Sequence, residues 1–83
     1  MTPYGRIGLN IRRIRRGADL TQEAVAERAG VHRTLMTGYD WGEREPKVGT
    51  LLRLAGALNV EPADLLDGVR WEPAGQRFVV DAS

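Results

Sequence analysis

The stretch TQEAVAERAGVHRTLMTGYDWG, residues 21–42, contains two short helical patterns separated by a single glycine. Thr21 is a suitable N-cap for the first pattern, because its hydroxyl can accept a hydrogen bond from a free backbone N–H. The apolar stripe of this pattern consists of Ala24, Val25, Ala26 and Ala29. Gly30 then closes the helix, since glycine adopts the left-handed backbone of a helix end without strain. The chain is therefore predicted to turn sharply after Gly30.

The second pattern, over residues 32–41, divides into two faces when successive residues are rotated by about 100°. One face is mainly apolar and predicts a core contact: Leu35, Met36, Tyr39 and Asp40. The other face is polar near its N-terminal end and includes small residues: Arg33, Thr34, Thr37, Gly38 and Trp41. The sequence therefore predicts a third helix with one buried side and one exposed, donor-carrying side.

Further helices are predicted before and after this stretch. Isoleucines at i, i+4 and i+7 predict a first helix over residues 7–16, with Arg12, Arg13 and Arg16 turned outward. The leucine spacing predicts a fourth helix from Leu51 to Asn59, and Pro62 opens a short fifth helix that runs toward Gly68. The helical part of the chain thus contains five helices.

The period of the sequence changes after Gly68. Apolar residues then alternate with other residues, as in two short strands around a turn at 73–75: Val69, Trp71, Phe78 and Val80. The sequence predicts an all-α fold with a short C-terminal β-hairpin. We divide it into a five-helix domain over residues 1–67 and a hairpin extension over residues 68–83.

Composition limits the class of protein. The chain has 83 residues, enough for one domain, and no cysteine, which excludes disulfides and cysteine-built metal sites. Its net charge of +1 is uneven, at +3 over residues 1–47 and −2 over residues 48–83, a mild sign of an anionic partner for the first part. The sequence contains no apolar run long enough to cross a membrane and no signal peptide, so we expect a soluble cytoplasmic protein without a membrane partner.

Catalysis has little support in the sequence. His32 is the single histidine, Ser83 is the single serine, and neither metal-ligand spacing nor a phosphate-binding glycine loop is present. Asp64 and Asp67 fit a solvated helix better than an acid–base pair. We therefore expect a protein that is not an enzyme and needs no metal or cofactor.

Two short helices joined by a glycine-containing turn can place the second helix in the major groove of double-stranded DNA. On the exposed face of residues 32–41, Arg33 can make a bidentate contact with guanine, and Thr34 and Thr37 can offer a hydroxyl or a methyl group. Gly38 costs about 1 kcal/mol relative to alanine within a helix, and close approach to DNA would explain it; the alternative is tight packing against a neighbour or mere tolerance of the cost. The alternative is that these side chains are ordinary solvated surface.

Phosphate contacts are expected from helix starts and from flanking cations. The residues placed for this role are Gln22, His32, Arg44, Lys47 and Arg13. Arg12 and Arg16 lie on the same outward face as Arg13. A run of arginines on one helix face is also typical of a simple solvated face.

The sequence resembles the phage-repressor or Cro-type helix-turn-helix family. The matching segments are LTQEAVAERAGV at 20–31, YDWG and EREP within 39–46, and TLLRLAGALNVEPADLL at 50–66. The resemblance implies a lambda-repressor-like domain that binds operator DNA as a dimer. It places Gln22 at a phosphate and, at the base-reading positions, Arg33, Thr34, Thr37 and Gly38.

The same resemblance implies a structural ion pair, because Arg15 and Asp40 occupy the positions where the family usually has an arginine and a glutamate that link the first and third helices. Three departures stand out. His32 replaces the usual serine or threonine and is expected to weaken a helix cap. Gly38 replaces a longer polar residue, and Trp41 replaces a polar one, so specificity could depend on DNA shape.

The hairpin lies outside this resemblance. We predict that the hairpin forms the dimer interface, here called the dimer seam, through Trp71, Phe78 and Val80. The alternative is that these residues cover the fourth and fifth helices. We expect a homodimeric transcriptional repressor that binds a palindromic operator, since a two-fold dimer reads two half-sites. The alternative is a protein-interaction module, antitoxin-like or an adaptor, that binds a protein partner through the tail or through Gly38 and Trp41.

Overall fold

A computed structural model of the protein describes residues 1–81, and this part of the chain contains five helices followed by one two-stranded hairpin. The elements are α1 (Pro3–Gly17), α2 (Gln22–Ala29), α3 (Arg33–Asp40), α4 (Val48–Leu58), α5 (Pro62–Leu65), β1 (Val69–Glu72) and β2 (Arg77–Val80). The predicted all-α fold with a C-terminal hairpin is confirmed. Ser83 and the last residues of the predicted 68–83 extension lie outside the described residues.

Helix ends differ from the predicted ones because capping residues, and not only the apolar stripe, set them. Helix α1 begins at Pro3 instead of residue 7, since the Thr2 side chain accepts a hydrogen bond from the Gly5 N–H at 3.1 Å. In α3, His32 and Trp41 are the caps that flank the helix. Helix α5 ends at Leu65, and Leu66 is already its C-cap.

The turn between α2 and α3 has the predicted geometry. Gly30 has a φ of 65°, in the left-handed region, and the Val31 N–H donates to the Ala26 carbonyl at 2.9 Å. The Thr21 hydroxyl accepts from the Ala24 N–H at 3.1 Å and caps α2. These local bonds fix the direction in which α3 leaves α2.

The core lies between α1, α2, α3 and α4, with α5 closing one end. Its fully buried apolar side chains are Ile11, Val25, Met36, Leu54 and Leu65. The predicted inner face of the third helix is confirmed, because Met36, Tyr39 and Asp40 are buried and Leu35 is half-buried. Burial of this face leaves the opposite face of α3 exposed.

The hairpin packs against α1. Strands β1 and β2 pair antiparallel, with Trp71 opposite Phe78 and Val69 opposite Val80. Arg6 of α1 donates from Nη1 to the Asp81 carbonyl at 2.7 Å, which ties the end of the hairpin to the helix. The hairpin therefore packs mainly on α1, and the alternative that it covers α4 and α5 is wrong. Within residues 1–81, every helix is too short or too polar to cross a membrane.

Candidate nucleic-acid interface

An open groove runs along the exposed side of α3. Its walls are formed by Arg33, Thr34, Thr37, Gly38, Glu43 and Arg44. The structure thus brings together the four residues predicted to read bases and one of those predicted to contact phosphate. Arg33, Thr34 and Thr37 are exposed, as a contact with an external ligand requires.

Gly38 is buried because the side chain of Arg44 lies across it. A Cβ atom on Gly38 would come within 2.9 Å of Arg44 Cδ. The structure therefore shows close packing of Arg44 over this glycine, and close approach of Gly38 to DNA stays a prediction. A base contact at Gly38 stays a prediction, and it would require Arg44 to move.

A buried ion pair fixes α3 against α1. Arg15 donates to the Asp40 carboxylate from Nε at 2.9 Å and from Nη2 at 3.0 Å, and the Asp40 side chain is fully buried. Gln22 of α2 adds a third donor to the same carboxylate, from Nε2 at 2.9 Å. The expected Arg15–Asp40 pair is confirmed, and the shorter aspartate still forms a bidentate contact. One carboxylate therefore links three helices.

The Gln22 side chain is already engaged in this network. Besides its bond to Asp40, its Oε1 lies 3.1 Å from the Thr37 hydroxyl, which also lies 3.2 Å from the Arg33 carbonyl. The phosphate contact predicted for Gln22 is untested by this arrangement. The position of Gln22 couples the start of α2 to the middle of α3.

The other predicted phosphate residues lie at different places. His32 caps α3, because its Nδ1 accepts a hydrogen bond from the Thr34 N–H at 3.2 Å, and the expected weakening of this cap stays a prediction. Lys47 is the exposed N-cap of α4 and shares a second groove with Arg44. Arg13 instead lines a groove between α1 and α5 that also contains Asp64. Arg44 and Lys47 thus lie beside α3, whereas Arg13 lies on another side of the domain.

Arg12 and Trp41, both on faces predicted to point outward, contact each other. Arg12 donates to the Asp40 carbonyl, and its guanidinium carbon lies 4.9 Å from the centre of the Trp41 ring. Arg12 is therefore not simply solvated, and it provides the stacking partner of the unexpected aromatic at Trp41.

Glu23 is the site residue that sequence reasoning missed. Its Oε1 accepts a hydrogen bond from Nη2 of Arg33 at 2.9 Å, although the two residues are ten positions apart. Hydrogen bonding to the backbone N–H of Glu23 lowers the pKa of its carboxyl group below the ordinary value of 4.5, and the Arg33 charge lowers it further. Glu23 is consequently ionised at neutral pH. Only its place in the first turn of α2 could have marked it in the sequence.

The arrangement of the helices is similar to that of known proteins. A family model described as a helix-turn-helix domain matches residues 6–67. The chain belongs to this helix-turn-helix family. The match covers all five helices apart from the first residues of α1, and it confirms the resemblance to the phage-repressor or Cro-type proteins.

Three relatives illustrate the helix-turn-helix family. An uncharacterized HTH-type transcriptional regulator of Sinorhizobium fredii, y4dJ, is 38% identical over 71 residues, which are 86% of this chain and 92% of that protein. The crystal structure of the restriction-modification controller protein C.AhdI from Aeromonas hydrophila is similar at a TM-score of 0.72 and 32% identity, covering 75% of this chain and 94% of that chain. The DNA-binding domain of the P22 c2 repressor is similar at a TM-score of 0.73 and 31% identity, and the match covers 82% of this chain and 88% of that chain.

Proposed function

We propose that this helix-turn-helix protein is a DNA-binding regulator of transcription, without catalytic activity, that inserts α3 into the major groove of its operator. The observation that carries the proposal is the groove beside α3, where Arg33, Thr34, Thr37 and Arg44 share one exposed surface. The relatives support it, since one is named a transcriptional regulator, one a controller protein and one a repressor DNA-binding domain. Such a protein works where bacterial DNA lies, in the cytoplasm.

Helix α3 meets the physical demands of a reading helix. Its inner side is buried and its last residue, Asp40, is held by α1 and α2, so the exposed side chains start from a fixed backbone. In the proposed complex Arg33 donates to guanine, and Thr34 and Thr37 contact neighbouring base edges. Arg44 and Lys47 follow α3 and donate to phosphates, which fixes the register of the helix on the duplex.

We propose that the protein binds as a homodimer and represses by occupying a palindromic site. The C-terminal extension of residues 68–83, which contains the hairpin, is its proposed dimerisation element, separate from the DNA-binding domain of residues 1–67. Trp71 and Phe78 form an edge-to-face pair with ring centres 5.0 Å apart, yet they remain 49% and 58% exposed. Val80 extends the same face of the sheet. An exposed apolar face of this kind is typical of an interaction surface.

The operator experiment incubates the purified protein with randomised DNA duplexes at near-physiological salt and sequences the recovered DNA. We expect a palindrome whose half-sites lie about 10 base pairs apart, one turn of the double helix. Arg33→Ala should weaken binding to that site by about 1–3 kcal/mol and relax one base position, whereas Arg44→Ala should weaken binding to all sequences alike. If no sequence is enriched and binding to DNA does not weaken as salt is raised, the protein-interaction module is favoured instead.

The dimer is tested by sedimentation of a Trp71→Ser, Phe78→Ser variant. We expect this variant to be monomeric and to bind the operator more weakly, because the seam loses both aromatic side chains. Leu52→Ser is the matched control, since Leu52 is equally exposed at 54% but lies on α4. A dimer that survives in the hairpin variant and dissociates in the control would place the interface on α4.

A further inference from the structure

The ion pair between Glu23 and Arg33 joins a side chain predicted to read bases to a charge of opposite sign, and within residues 1–81 it is the one such pair. Both partners are exposed, at 56% and 76% of their side chains, and they come from different helices of the helix-turn-helix. Exposed ion pairs add little to folding stability. Stability therefore gives no reason to place an anion on a surface that must approach DNA phosphates.

The chemistry of the pair leaves Arg33 able to read a base. A guanidinium carries five N–H donors, and the bond at 2.9 Å to Glu23 uses one of those on Nη2. A two-donor edge therefore remains free for the O6 and N7 atoms of guanine. Glu23 restrains the arginine without removing its capacity for a bidentate contact.

The electrostatics of the pair act differently on specific and non-specific DNA. A lone arginine attracts any phosphate, and this attraction is the main source of binding to random sequence. The ionised Glu23 cancels the Arg33 charge at short range and repels a phosphate that approaches it. A guanine edge, which presents neutral acceptor atoms, meets the paired arginine without that repulsion.

We infer that Glu23 is a specificity-determining residue that acts through Arg33. It holds the guanidinium for a base contact and suppresses its attraction to phosphates, so that Arg33 favours the operator over random DNA. The inference rests on the proposed function and assigns the positioning role to a residue of α2, outside the reading helix.

The test compares Glu23→Gln with Glu27→Gln. Both variants remove one negative charge from α2, but Glu27 is an exposed residue one helical turn farther along. Glutamine at position 23 keeps a hydrogen-bond acceptor for Arg33 and loses the charge. Binding to the selected operator and to a random duplex of equal length is measured by fluorescence anisotropy over a range of salt concentrations, and a thermal melt of each variant verifies that the fold is retained.

Glu23→Gln should strengthen binding to the random duplex and steepen its dependence on log salt concentration by about 0.9, the value for one additional phosphate contact. If the variant and the unmodified protein bind equally at 1 M salt, this difference in slope gives the variant about a fivefold higher affinity at 0.15 M salt. Operator affinity should rise less, so the ratio of operator to random binding should fall, by at most this factor. Glu27→Gln should change binding to both duplexes alike.

A double-mutant cycle decides whether Glu23 acts through Arg33. In an Arg33→Ala background, Glu23→Gln should change the salt slope and the binding ratio much less than it does when Arg33 is present. An equal effect with and without Arg33, or equal effects of the two glutamine variants, would overturn the inference while operator binding by the unmodified protein leaves the proposed function standing. If the unmodified protein binds no DNA, both fail together.

Discussion

Asp40→Asn tests whether the buried carboxylate at the end of α3 stabilises the domain. In the native protein this side chain is fully buried and accepts hydrogen bonds from Arg15 and from Gln22. Asparagine has nearly the same volume but no charge, so the change leaves the Arg15 guanidinium, whose side chain is only 11% exposed, without its counter-ion. The substitution therefore isolates the ion pair from packing.

The magnitude follows from the surroundings of the pair. Removing one partner of a buried ion pair costs about 3–5 kcal/mol. We expect the lower end, about 3 kcal/mol, because Arg15 Nη1 also donates to the Leu20 carbonyl at 3.0 Å and asparagine keeps one acceptor oxygen. A domain of this size has a free energy of unfolding of about 4–12 kcal/mol, so the loss is a large fraction of it. The melting temperature should fall by about 12–24 °C.

The assay is urea unfolding followed by circular dichroism, with Asp67→Asn as the matched control. The Asp67 side chain is exposed, so its variant should stay within about 0.5 kcal/mol of the unmodified protein. A second variant, Arg15→Met with Asp40→Leu, should lose less than the sum of the two single changes, because no unpaired charge remains. If Asp40→Asn unfolds at the same urea concentration as Asp67→Asn, the stabilising role assigned to this network is wrong.

Two glycine positions give further predictions that unfolding and binding assays can measure. Gly8→Ala should destabilise the protein by about 1–3 kcal/mol, because the new Cβ would lie 2.7 Å from the backbone nitrogen of Gly42, whereas the control Gly17→Ala meets no atom within 4 Å and should be neutral or stabilising. A Gly8 variant as stable as the Gly17 variant would contradict the close approach of α1 to the end of α3. Gly38→Ala should raise the free energy of unfolding by up to about 1 kcal/mol through helix propensity but weaken DNA binding, because the new Cβ displaces the Arg44 side chain. Unchanged affinity in that variant would show that the position of Arg44 over α3 is unimportant for binding.

The site could be predicted in part from the sequence. Residues 32–41 have a helical period, so the exposure of Arg33, Thr34 and Thr37 followed from rotation alone, and the structure has these side chains exposed. The packing of Arg44 over Gly38 could not be predicted, because it depends on the path of the loop after α3. The pair between Glu23 and Arg33 depends on the angle between two helices, which no local pattern fixes.

The sequence by itself determined the five helices, the glycine turn between α2 and α3, the buried face of α3 and the hairpin, since each follows from period, caps and turn residues over short distances. Only the tertiary structure decided which polar groups meet. Asp40 joins Arg15 to Gln22, Arg12 covers Trp41, the hairpin lies on α1, and Glu23 accepts a hydrogen bond from Arg33. These contacts join residues distant in sequence, and their energy depends on the distance, direction and burial that only the packed helices define.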